Sequence, residues 1–337
     1  MTAPDSFVAV SPPPGQDGPW AVTVNDAATG DVEHVVMPAV ARHMGVDTTA
    51  VDRRCRIWLT FSHGPRCAGD TAGCGIPGTC ASAVVRIVPK TGAAKAVLIG
   101  SGNELVEDAQ PSPGGELLAY VVATCTRTPG KYLVVDDLAT GRSWTIGRAL
   151  APCHSFGSLS WSPDGKDLAL AYGRSALRTV GGSRMCGTPL PKELAVVPAM
   201  RPAPRLPGRR VHMDPNCQAN AVAATRTGFA VLEACGRKYG YRTGPAPLVF
   251  FDLMLHETSR SSVGHCLGTS GELRADPSRS DLLGSTQQSC NPMTIPLPKL
   301  APARYTVLFT DNGSGVHTVI DRRQGGPSWG TFSHVSW

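Results

Sequence analysis

The sequence lacks the features that most directly assign a protein to a class. Among its 337 residues, no apolar run is long enough to span a bilayer as a helix, and extended helical periodicity is hard to find. It has no phosphate-binding loop and no His-Glu-x-x-His motif. These absences argue against a helical membrane protein and leave no ready-made catalytic signature.

What the sequence does contain indicates an all-β protein. Hydrophobic residues make up 42% of the chain, and glycine (37) and proline (29) are frequent. Short apolar runs bounded by such turn residues are typical of strands joined by tight turns. The net charge is +6. The densest basic stretch, MRPAPRLPGRR (200–210), lacks interleaved aromatic residues, so we expect a solvated loop that binds neither nucleic acid nor an anionic surface.

Eleven cysteines favour an oxidising compartment. The first residues, MTAPDSFVAVSPPPGQ, do not resemble a signal peptide, because no charged region leads into an apolar stretch. The two observations agree if a natural signal or membrane anchor precedes Thr2 in a longer protein. We therefore expect an extracytoplasmic protein, secreted or anchored at the outer face of the membrane, with no other membrane contact.

A strand–turn–strand pattern recurs along the chain. It is clearest around SWSPDGK (160–166), and it returns in VEDAQPSPGGELLAYVV (106–122) and GELRADPSRSDLLGSTQ (271–287). Weaker copies lie at 46–61 and 217–234. The copies start about 50 to 60 residues apart, and a fixed period of this size indicates a solenoid or a propeller.

Second hairpins lie between these copies. Three of them, at 22–36, 85–99 and 132–146, turn at a Thr-Gly pair, and later versions lie at 248–263 and 305–320. Glycine suits such turns because it accepts positive φ without steric cost. Each unit thus supplies four strands, called a to d from the inside outward, which is one propeller blade.

The sequence therefore predicts one β-propeller domain over residues 1–337, with six four-stranded antiparallel blades. The terminal TFSHVSW has no following b strand, so we expect it to enter the N-terminal blade and close the ring, which removes exposed sheet edges. The predicted blades are 5–38 plus 331–337, 46–100, 106–147, 157–200, 216–264 and 270–325.

The segments SWSPDGKDLALAY, QPSPGGELLAY and ADPSRSDLL resemble those of TolB-like and WD-type propellers. More specifically, the chain resembles extracytoplasmic propeller proteins of actinobacteria, which typically follow one membrane helix. The resemblance implies the architecture and says little about function, because propellers host binding modules and enzymes alike. The Trp-Asp dipeptide of WD repeats is absent, so no WD-type interaction surface is carried over.

Seven cysteines are expected on the propeller face that carries the b–c and d–a loops. The d–a loop entering a blade passes beside that blade's own b–c loop, which favours the pairs Cys153–Cys186, Cys217–Cys235 and Cys266–Cys290. An alternative links each b–c cysteine to the next d–a cysteine, giving Cys125–Cys153, Cys186–Cys217 and Cys235–Cys266. Both arrangements remain open.

A long insertion, SHGPRCAGDTAGCGIPGTCAS, carries Cys67, Cys74 and Cys80. A zinc site that includes His63 is one interpretation, but the spacing is not that of short Cys-x-x-Cys sites. A disulfide-tied loop is favoured, with one cysteine reaching Cys125. An odd cysteine remains, and we expect Cys55 to be a buried free thiol, which would leave five disulfides.

The d–a loops should ring the mouth of the central channel. His43, His154, His212 and His265 fall in segments interpreted as d–a loops, with Glu104, Asp108, Asp214 and Glu272 in similar places. Such a ring could hold a divalent metal or supply a general acid or base. The alternative, which is favoured, is that these histidines bond structurally within their own blades. For catalysis the candidates are His154, His212, His265 and Glu104, and for a metal they are His43, His154, His212 and His265.

The leading interpretation is a monomeric, disulfide-stapled, cell-envelope propeller that binds an unidentified ligand or protein partner on its loop face. The alternative is an enzyme that uses a channel-mouth histidine and carboxylate site, as in a metal-assisted lyase or hydrolase. Sequence alone leaves open whether the chain is an enzyme, and it names no cofactor other than a divalent metal at the mouth.

Overall fold

A computed structural model describes the strands and most of the short turns of the chain. The described residues are 6–11, 21–26, 32–36, 45–63, 80–102, 104–124, 131–147, 153–174, 177–180, 183–186, 191–235, 247–263, 271–275, 282–290, 303–311, 316–323 and 334–336. In these ranges every regular element is a strand, and no helix has the length and apolar character to cross a membrane.

The strands follow the alternating apolar runs identified in the sequence. In chain order they are β1 (Ser6–Ser11), β2 (Ala21–Asp26), β3 (Val32–Val36), β4 (Gly45–Val51), β5 (Ile57–His63), β6 (Cys80–Val88), β7 (Ala93–Gly102), β8 (Glu104–Pro111), β9 (Leu117–Thr124), β10 (Lys131–Asp137), β11 (Arg142–Ile146), β12 (His154–Trp161) and β13 (Asp167–Arg174). They continue with β14 (Leu177–Val180), β15 (Ser183–Cys186), β16 (Pro191–Pro198), β17 (Arg209–His212), β18 (Cys217–Ala224), β19 (Gly228–Cys235), β20 (Pro247–Asp252), β21 (Glu257–Ser262), β22 (Gly271–Ala275), β23 (Leu282–Cys290), β24 (Ala303–Asp311), β25 (Val316–Arg323) and β26 (His334–Ser336).

Five four-stranded antiparallel blades are each formed by one continuous part of the described chain. Blade 1 is β4–β7, blade 2 is β8–β11, blade 3 is β12, β13, β16 and β17, blade 4 is β18–β21, and blade 5 is β22–β25. The hairpin β14–β15 stands apart from these sheets, between the second and third strands of blade 3. The predicted second hairpins of these blades are present as c–d pairs.

One further four-stranded sheet in the described residues is composite, with the order β26-β1-β2-β3. Its inner strand β26 pairs with β1 through Val8↔Ser336, Ala9↔Val335 and Val10↔His334, as the closure prediction required. Counted as blades of continuous chain, the described propeller has five blades and not six. The prediction of six blades is therefore wrong. The sheet β26-β1-β2-β3 is not a blade of continuous chain, because its strands come from two distant parts of the sequence.

The inner strands form a closed ring around a central channel. Each inner strand contacts the next one around the ring, in the order β4, β8, β12, β18, β22 and β26, and β26 contacts β4 again. The a–b and c–d turns lie on one side of this ring, called the turn side. The b–c and d–a connections lie on the other, called the mouth side. Neighbouring blades pack through apolar clusters such as Leu133, Trp161 and Leu170 between blades 2 and 3.

The a–b turns repeat one hydrogen-bonding pattern on the turn side. Ser162 N–H donates to Asp167 O at 2.8 Å, and Ser112 N–H donates to Leu117 O at 2.8 Å. The glycines of these turns, Gly165 and Gly115, have φ of 70° and 72°. The repeat seen in the sequence is therefore a repeat of turn geometry.

Candidate functional site

Two of the four predicted mouth histidines lie in the described residues. His154 is the first residue of β12 and is buried, and His212 is the last residue of β17, with its side chain 80% exposed. They occupy the inner and outer strands of blade 3, about 14 Å apart at the usual strand spacing. His43 and His265 lie outside the described residues, so the convergence of three histidines stays a prediction. The expectation that the sequence has no catalytic signature needs one correction, since Gly-Pro-Ser-Trp-Gly at 326–330 has the Gly-x-Ser-x-Gly spacing of a nucleophile elbow. This stretch also lies outside the described residues.

His154 is held within its own blade. Its Nδ1 shares a hydrogen bond of 2.5 Å with the Tyr172 hydroxyl, and the two rings are stacked. Burial lowers the pKa of His154, and the charges of Arg174 and Arg210 lower it further. The imidazole is therefore neutral at neutral pH, which is the form that a metal ligand requires.

A row of polar side chains crosses the mouth side of blade 3 beyond Tyr172. The Arg210 guanidinium lies 4.8 Å from the centre of the Tyr172 ring. Glu193 lies within ion-pair distance of Arg210 (3.7 Å) and of His212 Nδ1 (3.5 Å). Burial raises the pKa of Tyr172, although Arg210 opposes this shift. These contacts link the inner and outer strands of one blade.

The predicted carboxylates also have local partners. Glu104 accepts a hydrogen bond of 2.6 Å from the Tyr132 hydroxyl. Asp214, the expected acceptor beside His212, instead accepts from the backbone N–H of Asn216 at 2.9 Å. The carboxylate within reach of His212 is Glu193. The side chain of Glu272 is outside the described part of the structure.

Arg274 is the residue that joins the inner strands across the channel. It comes from β22 and is only 8% exposed. Its Nε donates to Thr49 O at 3.2 Å, a residue 225 positions away, and its Nη1 lies 3.3 Å from Ser158 Oγ. Its Nη2 lies 3.7 Å from Asp108 Oδ1. One guanidinium thus contacts β4, β8 and β12, none of which neighbours β22 in the ring.

Asp108 carries the counter-charge at this level of the channel. It has a φ of 35° and lies at a bulge between Glu107 and Ala109 in the pairing of β8 with β9. Its Oδ2 accepts from the Leu159 N–H at 2.6 Å, and its Oδ1 accepts from Gln110 Nε2 at 2.8 Å. Bulges commonly redirect a side chain away from the regular pleat. Here the bulged residue is Asp108 itself, and its carboxylate binds the backbone of Leu159 in the next blade.

Several polar atoms on the inner strands make no hydrogen bond to any residue that the structure describes. They are Thr48 Oγ1, Thr49 Oγ1 and Asn220 Nδ2, all buried. Asn220 lies at a bulge of β18, and Thr49 carries the carbonyl that Arg274 contacts. Buried polar groups without partners are costly unless water or a ligand satisfies them. The inner strands β4 and β18 therefore carry buried donor and acceptor atoms that a polar molecule could satisfy.

A second cluster, near the mouth side of blade 4, contains metal-ligating atom types. Among the described residues, the Cys217 and Cys235 sulfurs and the Glu233 carboxylate lie within 4.8 Å of one another. However, Cys217 and Cys235 form a disulfide, and metals bind the thiolate form. Arg260 also pairs with Glu233 at 2.7 Å. The cluster therefore does not fit a metal ion while the disulfide is present.

The cysteine predictions have mixed outcomes. The Cys217–Cys235 disulfide is confirmed, and Cys153 is also disulfide-bonded. Cys55 is free, as predicted, but it is exposed and not buried. It occupies the positive-φ position of its a–b turn, with φ of 57°, where the equivalent residues of blades 2 and 3 are glycines. The side chains of Cys186, Cys266 and Cys290 are outside the described part.

Sequence reasoning missed Arg274, Tyr172 and Glu193. Tyr172 lies in the apolar run LALAYG, Arg274 follows Leu273 in GELRA, and Glu193 directly precedes the apolar run LAVV. A polar side chain in or beside a buried strand was the available signal, because such a side chain needs a specific partner. The partners themselves lie too far away in sequence to be recognised.

Comparison with known proteins supports the fold and leaves the activity open. No family model and no curated protein matches the sequence. The structure is similar to TolB from Acinetobacter baumannii, with a TM-score of 0.54 and 11% identity, over 98% of this chain and 65% of TolB. The chain thus spans about two thirds of the length of TolB.

Two other similar structures carry the names of enzymes. The periplasmic gluconolactonase PpgL from Pseudomonas aeruginosa has a TM-score of 0.50 and 15% identity, over 97% of this chain and 98% of that protein. An oligogalacturonate lyase in complex with manganese has a TM-score of 0.51 and 12% identity, over 90% of this chain and 72% of the lyase. The chain is a β-propeller similar to TolB and to these proteins. At such low identity the similarity shows the fold, and it does not decide between binding and catalysis.

Proposed function

We propose that this protein is an extracytoplasmic, disulfide-stapled β-propeller that binds a polar ligand or a protein partner on its mouth side. The observation that carries the proposal is the set of buried polar atoms without hydrogen-bond partners on the inner strands β4 and β18, which belong to Thr48, Thr49 and Asn220. Arg274 contacts the carbonyl of Thr49. Concave sites with a few convergent polar groups are the usual places for ligands. Arg274 and Asp108 would form the floor of such a site.

The extracytoplasmic location is supported by the cysteines. Cys217–Cys235 is a disulfide and Cys153 is disulfide-bonded as well. Structural disulfides persist in oxidising compartments and are rare in the cytosol. In this proposal the protein acts as one propeller domain and as a monomer.

Binding is favoured over catalysis by the contacts of the described histidines. A general acid or base needs access to substrate, whereas His154 is only 7% exposed and is held by Tyr172. His212 is on the outer strand and pairs with Glu193. These contacts match the structural role that loop histidines often have within a blade. The alternative of a metal-assisted lyase or hydrolase would require His265 or His43 to complete the site.

Binding can be tested by thermal shift with neutral sugars, sugar acids and short peptides, followed by calorimetry on each compound that stabilises the protein. Thr49→Val and Asn220→Leu remove unsatisfied polar atoms and keep the number of side-chain heavy atoms. We expect each variant to weaken binding by about two- to tenfold, since a hydrogen bond to a buried group is typically worth 0.5–1.5 kcal/mol.

The matched control is Ser143→Ala, which removes a hydroxyl from the exposed outer strand of blade 2. It should leave affinity unchanged. If a ligand binds the Thr49 and Asn220 variants as tightly as it binds wild type, these two residues are not part of its binding site. Turnover of any compound in the panel, with loss on His154→Ala, would favour the enzyme alternative.

A further inference from the structure

The basic stretch at 200–210 is not the free solvated loop that its composition predicts. It connects β16 to β17 as the c–d connection of blade 3. Ala203 forms a parallel bridge with Ile146, and the Trp144 indole donates to Ala199 O at 2.6 Å. Leu206 is 5% exposed and belongs to the apolar cluster between blades 2 and 3. The connection is therefore tied to two blades.

This anchoring presents a fixed set of side chains to solvent. Met200 is 55% exposed, and Arg201, Arg205 and Arg209 are exposed as well. Prolines at positions 202, 204 and 207 restrict the backbone further. A partner that binds this segment would not have to order it, which reduces the entropic cost of binding.

The neighbouring c–d turn of blade 4 extends the same surface. Leu253 and Met254 are 50% and 65% exposed. Arg209 Nη1 donates to the Leu253 carbonyl and lies 3.8 Å from the Met254 sulfur. We call Met200, Leu253 and Met254, together with Arg201, Arg205 and Arg209, the Met–Arg patch. Among the described residues, these three arginines form no ion pair with a carboxylate within 4.0 Å.

We propose that the Met–Arg patch docks the propeller onto an anionic lipid bilayer. Unpaired arginines near a negatively charged membrane surface attract it, and exposed methionine and leucine side chains at turn tips can enter the interfacial layer. The acidic groups near the patch, Asp167 and Asp252, are partly buried, and Arg201 and Arg205 are exposed to face lipid phosphates. This contact would be direct and independent of any lipid anchor.

The composition of the patch favours lipid over other polyanions. Protein interfaces are enriched in aromatic residues at their centre, and single-stranded nucleic acids are bound by stacking on aromatics. The patch has no aromatic member. Flexible, unbranched methionine side chains suit a fluid environment that offers no fixed pocket.

The test is co-sedimentation of the full chain with vesicles of phosphatidylcholine alone or with phosphatidylglycerol added. We expect binding to the anionic vesicles only. Each arginine near such a surface contributes roughly fivefold, so Arg201→Gln/Arg205→Gln should weaken binding roughly 25-fold, and adding Arg209→Gln should bring the loss to about 100-fold. Met200→Ser/Leu253→Ser/Met254→Ser should weaken it by at least tenfold.

The control is Lys90→Gln/Lys95→Gln/Arg142→Gln, which removes three exposed charges from the c–d turns of blades 1 and 2. It should change binding less than threefold. Equal losses in the control and in the Arg201/Arg205/Arg209 variant would reduce the effect to net charge and overturn the proposal. Absence of binding to anionic vesicles would also overturn the proposal. It would likewise be overturned if the protein bound polyglutamate or DNA but not vesicles, and if the patch variants lost that binding. Circular dichroism and thermal unfolding verify that each variant is folded.

Discussion

The turn side and the channel of this propeller are built in different ways. On the turn side, the a–b turns that the structure describes close through hydrogen bonds between residues a few positions apart, as between Ser162 and Asp167. In the channel, Arg274 binds residues 116 and 225 positions away. These a–b turns therefore depend on local sequence, whereas the channel depends on the complete ring. Substitutions on the two sides should differ accordingly in how much they destabilise the protein.

The largest effect is expected in the channel. Arg274→Met removes the contacts to Thr49, Ser158 and Asp108 and leaves the Asp108 carboxylate, which is 9% exposed, without its counter-charge. Breaking one side of a buried ion pair typically costs about 3–5 kcal/mol. We expect a loss of this size in urea-induced unfolding, while Arg142→Met on the turn side should change stability by less than about 0.5 kcal/mol. Similar stability of the two variants would mean that the channel does not tie the blades.

The next effect is expected at the mouth side of blade 4. The Cys217–Cys235 disulfide joins residues 18 positions apart, and a loop of that size predicts a contribution of about 3 kcal/mol. Cys217→Ala/Cys235→Ala should lower the free energy of unfolding by about that amount. Reductant should destabilise wild type more than the double variant. If the added reductant destabilises both proteins equally, this disulfide contributes little.

A smaller, pH-dependent effect is expected at His154. Its folded pKa is lowered below the ordinary value of 6.5, so the folded state disfavours protonation. Stability from the neutral imidazole is complete above pH 6.5 and is lost as the pH falls through 6.5 toward the lower folded pKa. His154→Gln can keep a hydrogen bond to Tyr172 and does not titrate. Unfolding measured between pH 7.5 and 5 should show a steeper loss in wild type than in this variant, and His212→Gln should behave like wild type.

The smallest effect, and the one gain, is expected on the turn side. Cys55 adopts φ of 57°, and this backbone conformation costs a non-glycine residue roughly 1–2 kcal/mol. Glycine also loses more entropy on folding, so Cys55→Gly should raise stability by about 1 kcal/mol or less. Differential scanning calorimetry should show a small increase in Tm. A decrease would mean that the Cys55 side chain makes a contact worth more than the strain.

The disulfide prediction shows how far placement from sequence can go. Counting strands within each repeat placed Cys217 and Cys235 at adjacent ends of β18 and β19, where they are directly paired, because strand order within a blade follows chain order. The same reasoning placed Cys55 near the turn side but made it buried, since sequence did not show that its turn needs positive φ at that residue. His154 and His212 were placed on the mouth side, yet strand position within the blade separates them.

By itself the sequence determined most of the strands and turns and their order in the blades, because these depend on alternation and on Gly, Pro, Ser and Asp at fixed local spacings. It also predicted the pairing of β26 with β1, from the strand missing at each end. It did not predict the hairpin β14–β15 or the outer strand β17. Only the tertiary structure decided that Arg274 reaches Thr49, Ser158 and Asp108, and that Tyr172 engages His154. It also decided that the basic stretch at 200–210 is tied to two blades through Ala203 and Leu206. These contacts join residues that share no local pattern, and they exist only because ring closure brings distant strands to one axis.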